Sequence, residues 1–374
     1  MENERKKIYL MRPSLGDEEL QAVKEVFASK FLTEGDYTKK FEQAFANYLG
    51  AKHALATTSC TRAMELALRV LNIGPGDEVI VPDFTHPATG NVVFIVGAKP
   101  VLVDVDRETY NIDYHALERA ITKKTKAILP VSLFGNPLEW KPLKELQAKH
   151  GFYIIEDAAC SAGAEVDGKK VGSQADITCF SLHPRKIITT GEGGMFVTND
   201  DNMAEKAKAY KCFGFIDSAR SKTIYPGSNY LFSNILGAIG LVQLSKIESI
   251  LRARLKAAGN YTKLLSSNRW IKPPKIREKT RHTFQSYCVY LEKKGVRDKL
   301  KQHLVQEKNI EAQIGTYALH LHPTYDTAVH SSTTNSTDLF QNLLTLPLHS
   351  ELSPEDQDYV VDSIQDFLSK NYSS

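Results

Sequence analysis

The sequence predicts an α/β protein with a large domain, in which a mostly parallel seven-stranded sheet lies between helices, and a smaller C-terminal α+β domain. Strand-like and helix-like segments alternate from about residue 53 to residue 200, which is typical of strands joined by helical crossovers. Beyond about residue 250 this alternation stops and a mixture of helices and strands follows. We therefore place an N-terminal arm and the large domain at 1–250, and the small domain at 251–374.

The elements follow in order along the chain. Two amphipathic helices are predicted in the arm, Asp17–Ala28 and Thr38–Tyr48, and helices such as Arg62–Val70 alternate with the strands of the large domain. Seven runs are predicted to form the sheet: His53–Thr57, Glu78–Pro82, Pro100–Val105, Ala127–Val131, Tyr153–Glu156, Ile177–Ser181 and Gly194–Thr198. A long helix, a strand and two more helices are predicted beyond them: Ser233–Leu265, Thr283–Leu291, Val296–Glu307 and Pro354–Leu368.

Composition indicates a globular protein that acts on small molecules. The 374 residues leave room for about two domains of roughly 150 residues each. Lysine and arginine number 47 against 44 aspartates and glutamates, without long blocks of one sign, so we expect no nucleic-acid partner. A charged N-terminus and the lack of about 18 consecutive apolar residues predict a cytoplasmic protein outside membranes. The five cysteines are widely spaced, which predicts reduced thiols.

A carboxylate at the end of a strand is the first candidate for chemistry. The run YIIED ends at Asp157, and the strand would place this residue at the carboxyl edge of the sheet, where open α/β folds bind ligands. An aspartate in this position also caps the turn that follows a strand. The motif alone leaves both roles open.

Lys186 is the second candidate, because it follows a strand and a proline and precedes a glycine-rich turn. A lysine nucleophile bonds the aldehyde of a pyridoxal cofactor, whose ring nitrogen needs a carboxylate partner. Asp157 and Lys186 supply such a pair of side chains. Taken alone, however, Lys186 is also typical of a solvated surface.

Small hydroxyl and thiol residues open the helix that follows the first predicted strand, at Ser59, Cys60 and Thr61. Free N–H groups at the positive end of a helix favour an anion, so the phosphate of a cofactor fits this position. An ordinary helix cap uses the same residue types, and that alternative stays open.

Motifs for other chemistries are absent from the sequence. The GEGG run at Gly191–Gly194 does not match the dinucleotide fingerprint, and neither a P-loop nor the G-x-S-x-G motif of hydrolases occurs. His320 and His322 lie two positions apart without nearby acids or thiols, so we expect no metal site.

Several segments, taken in order, resemble the DegT/DnrJ/EryC1/StrS sugar aminotransferases, a family of fold type I pyridoxal-phosphate enzymes. The similarity covers nearly the whole chain through the following segments: FLTEGDYTKKFEQAFANYLG, TSCTRAMELAL, GPGDEVIVPDFTHPATGN, GAKPVLVDVDRETYNID, IIEDAACSAGA, SLHPRKIITTGEGGMFVTND, GSNYLFSNILGAIGLVQL, ALHLHPTY and LTLPLH. The resemblance implies the fold type I PLP-transferase-like α/β fold and pyridoxal 5'-phosphate as the cofactor.

The resemblance also implies roles for single residues. Lys186 is similar to the lysine that bonds the cofactor and moves the proton, and Asp157 is similar to the partner of the ring nitrogen. The implied cofactor-binding set is completed by Cys60, Thr61, His86, Cys160, Ser181 and Asn229. Within this set Cys60, Thr61 and Ser181 hold the phosphate, and His86 either stacks on the ring or caps its own turn. Asn229 reaches the phosphate of the neighbouring subunit, which implies a homodimer with shared active sites.

Some positions depart from the family pattern, mainly where substrate would be met. Four residues differ from those common in the family: Ser132 in place of histidine, Cys160 in place of glutamine or histidine, Leu231 in place of arginine, and Ile314 in place of histidine. Substrate contacts are implied at three others: His183, Tyr317 and His320. Lysine at position 186 separates this chain from the branch that carries histidine there and dehydrates sugars.

The implied activity is a pyridoxal-phosphate-dependent transfer of an amino group from an amino acid to a keto-sugar in amino-sugar biosynthesis. L-glutamate is the expected donor, and a nucleotide-linked sugar is the expected acceptor. Two alternatives stay open, namely a pyridoxal-phosphate-dependent sugar dehydratase or lyase and a non-catalytic regulatory member of the same fold. Production of 2-oxoglutarate from glutamate, dependent on a keto-sugar, distinguishes these alternatives.

Overall fold

The computed structural model describes residues 6–217, 219–330 and 332–372, so the outer ends of both predicted domains lie outside the described residues. The α-helices in these residues are α1 Asp17–Ser29, α2 Asp36–Leu49, α3 Cys60–Val70, α4 Pro87–Ile95, α5 Tyr114–Ala120, α6 Trp140–His150, α7 Asp201–Lys211, α8 Asn234–Leu265, α9 Arg297–Glu307, α10 Thr334–Asn342 and α11 Pro354–Tyr372.

The strands are β1 His53–Thr57, β2 Glu78–Pro82, β3 Phe84–Thr85, β4 Lys99–Val103, β5 Thr125–Ile128, β6 Tyr153–Asp157, β7 Glu165–Val166, β8 Lys169–Lys170, β9 Ile177–Ser181, β10 Gly194–Thr198, β11 Ile271–Lys272, β12 Thr280–Arg281, β13 Tyr287–Leu291, β14 Gln313–Ile314, β15 Tyr317–Ala318, β16 Val329–His330 and β17 Leu343–Leu346.

The central sheet has the strand order β1-β10-β9-β6-β5-β2-β4-β16. Its neighbouring strands are parallel except around β10, which runs antiparallel to both β1 and β9. This arrangement confirms the predicted α/β class with a mostly parallel sheet, and all seven predicted strands are members. The predicted number of seven is corrected to eight, because the two-residue strand β16 pairs with β4 at the edge.

Helices cover both faces of this sheet. One apolar cluster joins the sheet to α3, α4 and α7, and another joins its opposite face to α5 and α6. The strands between them are buried on both faces and read as continuous apolar runs, as in Val79, Ile80 and Val81, each fully buried. Because helices cover both faces, a ligand can approach the middle strands of this sheet only at their ends.

The small domain is built around a second sheet with the order β11-β13-β17-β14, whose pairs are antiparallel. Its core also contains Leu300 of α9, Ile364 of α11 and Leu265 at the end of α8. Ile8 from the N-terminal arm is buried in the same core and forms an isolated bridge with Ile310. The arm and α8 thus connect the two halves of the molecule, and the boundary at residue 250 stays a proposal.

Helix α8 is 32 residues long and is the helix, within the described ranges, that has the length and apolarity to cross a membrane. Half of its most apolar stretch is buried in the fold, where the helix packs against α1, α2 and α11. The structure therefore uses α8 as a central packing helix.

A close approach between β10 and α3 shapes one end of the sheet. A Cβ atom added at Gly194 would lie 2.3 Å from the carbonyl carbon of Ser59 and 2.4 Å from the backbone nitrogen of Cys60. Because only glycine leaves room for this contact, Gly194 allows the first turn of α3 to lie directly against the sheet.

Candidate active site

A cavity of about 520 Å³ lies where β6 and β9 end and α3 and α4 begin. Eight residues of the predicted site line it: Cys60, Thr61, His86, Asp157, Cys160, Ser181, His183 and Lys186. This is the carboxyl edge of the parallel sheet, where the strand ends bring together residues that are far apart in sequence. The small domain closes the other side through residues such as Gln285 and Gly315.

Asp157 ends β6 and is 4% exposed. Its Oδ2 accepts a hydrogen bond from the hydroxyl of Thr89 at 2.8 Å, and its Oδ1 accepts one from the backbone N–H of Ala159 at 3.1 Å. The second bond caps the turn after the strand, which is one of the two roles left open for Asp157 by its sequence motif. The carboxylate also lines the cavity, so both roles are compatible. Thr89 was not predicted as a site residue from the sequence. Its hydroxyl in the first turn of a helix that follows a strand is a pattern that could have indicated this role.

Lys186 lies in the turn after β9, where its backbone N–H donates to the carbonyl of His183 at 2.8 Å. Its Nζ lies 3.4 Å from Sγ of Cys160. Burial lowers the pKa of Lys186, but its interactions with Cys160 and with the charge of Asp157 outweigh burial and hold the pKa above the usual lysine value. The lysine is half-buried, and its amine lies close to Cys160 and to the charge of Asp157, so the alternative of a freely solvated lysine does not describe this structure.

The first turn of α3 forms one wall of the cavity. Ser59 is the helix cap, and its hydroxyl accepts a hydrogen bond from the backbone N–H of Arg62 at 3.2 Å. Burial raises the pKa of Cys60 far above its usual value, and the nearby Asp157 raises it further, so the thiol is neutral. Cys60 and Thr61 of this turn line the cavity, as does Ser181 at the end of β9.

His86 caps α4, since its Nδ1 accepts a hydrogen bond from the backbone N–H of Ala88 at 3.2 Å. The same ring lines the cavity and packs edge-on against Tyr317, with ring centroids 6.2 Å apart. Desolvation lowers the pKa of His86, and the charge of Lys186 lowers it further, so the ring is neutral at pH 7. The two roles that the sequence left open are thus compatible in one side chain.

The three predicted substrate residues differ in position. His183 lines the cavity, and Tyr317 lies in β15 against His86. His320 is not among the residues that line the cavity, because its Nδ1 bonds the buried carboxylate of Asp83 at 2.6 Å and its Nε2 lies 3.2 Å from the hydroxyl of Thr337. In this chain His320 ties the small domain to the end of β2.

Asn229 lies apart from the cavity of its own chain. It is exposed in the loop between α7 and α8, where its Oδ1 accepts a hydrogen bond from the backbone N–H of Leu231 at 3.1 Å. The structure of one chain therefore does not bring Asn229 to the other predicted cofactor residues.

Two of the positions that depart from the family pattern have clear surroundings. The hydroxyl of Ser132 donates to Glu156 at 2.5 Å beneath the cavity, and Ile314 lies on the cavity wall with its neighbours Gln313 and Gly315. In the described part of the chain no cluster of three or more His, Cys, Asp or Glu side chains is arranged to hold a metal ion.

The wall from the N-terminal arm and the small domain was not predicted from sequence. Leu10 and Met11 line the cavity, and the buried guanidinium of Arg254 holds this side together through hydrogen bonds to the carbonyls of Leu348 and Gln285 at 2.9 and 2.8 Å. These residues share no local motif, because tertiary packing alone brings them together.

Comparison with known proteins identifies the family and the fold. The family model described as the DegT/DnrJ/EryC1/StrS aminotransferase family matches residues 13–365. The chain belongs to this family. It is 38% identical over 367 residues to the GDP-perosamine synthase of Caulobacter vibrioides, covering 97% of this chain and 98% of that protein.

Two solved structures extend the comparison. The Helicobacter pylori aminotransferase PseC, involved in the biosynthesis of pseudoaminic acid, has a TM-score of 0.92 at 29% identity and covers 98% of this chain and 100% of its own. The Streptococcus pneumoniae protein Spr1654 in its PLP form has a TM-score of 0.93 at 30% identity, covering 98% and 99%. The chain is thus a pyridoxal-phosphate-dependent sugar aminotransferase, which confirms the resemblance drawn from its motifs.

The residues of the cavity fit pyridoxal phosphate. The half-buried amine of Lys186, a carboxylate held by Thr89 and Ala159, and the first turn of a helix that packs against Gly194 lie around one space. These are a nucleophile for an aldehyde, a partner for a ring nitrogen and an end of positive potential for a phosphate.

Proposed function

We propose that this sugar aminotransferase transfers the amino group of an amino acid, with L-glutamate as donor, to a nucleotide-linked keto-sugar. The observation that carries the proposal is that Asp157 and Lys186 line the same buried cavity as the first turn of α3. The chain's similarity to a GDP-perosamine synthase supports a nucleotide-linked acceptor. We also propose a cytoplasmic location.

Each side chain has a separate task in this proposal. Bound pyridoxal phosphate supplies the electron sink and carries the amino group between the two substrates. Asp157 would hold a proton at the ring nitrogen through its negative charge, and Thr89 and Ala159 keep the carboxylate in place. Lys186 would hold the cofactor through its amine and would carry the proton at its Nζ.

The remaining cavity residues bind and orient. The first turn of α3, with Thr61 and the hydroxyl of Ser181, would hold the phosphate, and the neutral ring of His86 would pack on the cofactor ring. The thiol of Cys160 lies 3.4 Å from the Nζ of Lys186 and would contact the bound cofactor.

We further propose that the enzyme is a homodimer with shared active sites. The exposed position of Asn229, outside its own cavity, supports a role in the cavity of a second subunit. The same loop exposes the apolar side chains of Phe213, Ile216 and Ile224. Burial of these side chains against a second subunit would remove apolar surface from water.

An assay that measures both products of the reaction tests the proposal. Purified protein loaded with pyridoxal phosphate is incubated with L-glutamate and a panel of UDP-, GDP- and dTDP-linked keto-sugars. We expect equal amounts of 2-oxoglutarate and amino-sugar by mass spectrometry, and loss of both in Lys186→Ala. A sugar that is consumed without 2-oxoglutarate would indicate a dehydratase or lyase, and no turnover with any pair would leave the transferase proposal without support.

A further inference from the structure

A second cavity, of about 330 Å³, adjoins the active-site cavity on the side of the N-terminal arm. The two cavities share four lining residues: Leu10, Met11, Arg185 and Gln313. The shared residues place an outer compartment directly beside the compartment that contains Lys186. A substrate larger than the reacting group would extend from the inner compartment into the outer one.

Arg185 is the cation at this junction. It precedes Lys186 in sequence, and its backbone is fixed on both sides, by a hydrogen bond from its N–H to Nδ1 of His183 at 3.2 Å and by one from Gln285 to its carbonyl at 2.8 Å. The side chain is exposed to the cavities, and no hydrogen bond or ion pair of its guanidinium is found among the described residues.

The described carboxylates around Arg185 form no hydrogen bond or ion pair with it, although the charge of Arg185 helps to lower the pKa of Glu311. Glu192, which also lines the inner cavity, lies 4.0 Å from Nε2 of His183. In the outer cavity Glu311 bonds Lys7 at 2.7 Å and the backbone N–H of Leu10 at 3.0 Å, so its carboxylate already has two partners. In the inner cavity Asp157 is held by Thr89 and Ala159. A guanidinium without a hydrogen-bond partner, on a backbone held at both ends and next to Lys186, is arranged to donate to a pair of negatively charged oxygens.

We propose that Arg185 is a specificity-determining residue that binds an oxyanion of the substrate, on the basis of the transferase function proposed above. The oxyanion has two sources of the same chemistry, namely the carboxylate of the amino donor and the diphosphate of a nucleotide-linked acceptor. Arg185 holds this group while the reacting carbon lies at Lys186. The residue binds and orients, and it takes no part in proton transfer.

Binding measurements on the protein loaded with cofactor test this role without turnover. The probes are glutarate, an unreactive dicarboxylate, and inorganic pyrophosphate with UDP and GDP, each titrated by calorimetry. We expect Arg185→Gln to weaken the affinity for one of these two groups of probes by about tenfold or more, because a charged bidentate contact is lost. Arg185→Lys keeps the charge and should retain part of the affinity. Arg252→Gln, an exposed arginine of α8 away from both cavities, is the matched control.

The outcomes separate the sources. Weaker binding of glutarate alone assigns Arg185 to the donor carboxylate, and weaker binding of pyrophosphate and nucleotides alone assigns it to the acceptor. Equal binding in wild type and Arg185→Gln, or no binding of any probe to wild type, would overturn the inference. Because Lys186 and Asp157 are unchanged, Arg185→Gln should keep the cofactor absorbance. If the wild-type enzyme transferred no amino group in the product assay, that result would instead count against the proposed function.

Discussion

Among single side chains, Asp157 carries the most specific expectation. Asp157→Asn keeps the shape of the side chain and an oxygen for the hydroxyl of Thr89, but it removes the negative charge from the cavity. The ring nitrogen of the cofactor would then lose most of its proton at neutral pH, and we expect kcat to fall at least about a hundredfold. Steady-state kinetics with saturating cofactor measure this change. The exposed Asp167→Asn is the control, and a near-normal rate in Asp157→Asn would reduce Asp157 to a turn cap.

Glu156, beside Asp157 in β6, gives a prediction about pH. Burial raises the pKa of Glu156 to about 7, and its main partner is the neutral hydroxyl of Ser132 at 2.5 Å. The unfolded chain binds this proton less tightly, so the stabilising effect of the proton is complete below about pH 4.5 and is lost as the pH rises through about 7. Thermal unfolding from pH 5 to 8.5 should therefore show a decline in wild type that Glu156→Gln reduces.

The control for this comparison is Glu145→Gln on the exposed face of α6. It should follow the wild-type curve, because its carboxylate lies in solvent. Parallel curves for wild type and Glu156→Gln across the whole range would show that Glu156 is ionised in the folded protein and would contradict the prediction.

Single residues were predicted from sequence where a local pattern surrounds them. Asp157 ends an apolar strand and Lys186 precedes a glycine-rich turn, and both line the cavity. His320 shows the limit of this approach, because its buried partner Asp83 lies 237 positions away in sequence. No local pattern contains such a pair, and tertiary packing decides whether the imidazole faces the substrate or a carboxylate.

At the scale of elements, the contact between β10 and α3 is the most sensitive feature. The Cβ of Gly194→Ala would lie within 2.4 Å of the backbone of Ser59 and Cys60, so the first turn of α3 must move away from the sheet. We expect a loss of about 1–3 kcal/mol in the free energy of unfolding and weaker binding of pyridoxal phosphate. Denaturant unfolding and cofactor titration measure the two effects.

Gly259→Ala in α8 is the matched substitution, because nothing lies within 4 Å of the Cβ it would add. It should leave cofactor binding unchanged and alter stability between no change and a gain of about 1 kcal/mol. Equal cofactor affinity in the two variants would show that the first turn of α3 does not hold the phosphate.

Elements with a periodic pattern of apolar residues were predicted from the sequence, and two-residue strands were not. The predicted helix Val296–Glu307 is observed as α9 Arg297–Glu307, because its apolar residues recur at helical spacing over a full core-facing stripe. The two-residue strands β15 and β16 were missed. Two residues carry no periodicity, and their strand geometry comes from pairing with β3 and β4.

At the scale of the whole molecule, one chain holds an incomplete version of the predicted site. Eight predicted residues share a cavity, and Asn229 is exposed on a loop elsewhere. Sequence alone placed Asn229 in the site only through the family resemblance, since the contact it implies lies between chains. The arrangement therefore makes a prediction about mixed dimers.

Subunits with Lys186→Ala and subunits with Asn229→Ala should complement each other when they exchange. In a mixed dimer with shared sites, the subunit that keeps Lys186 receives Asn229 from its neighbour, and one site of two is intact. Random exchange of equal amounts makes about half of the dimers mixed, so activity should recover to about a quarter of wild type. If Asn229 acted within its own chain, no site would contain both residues. Defective parents and no recovery, after native mass spectrometry has verified exchange, would therefore exclude the shared site.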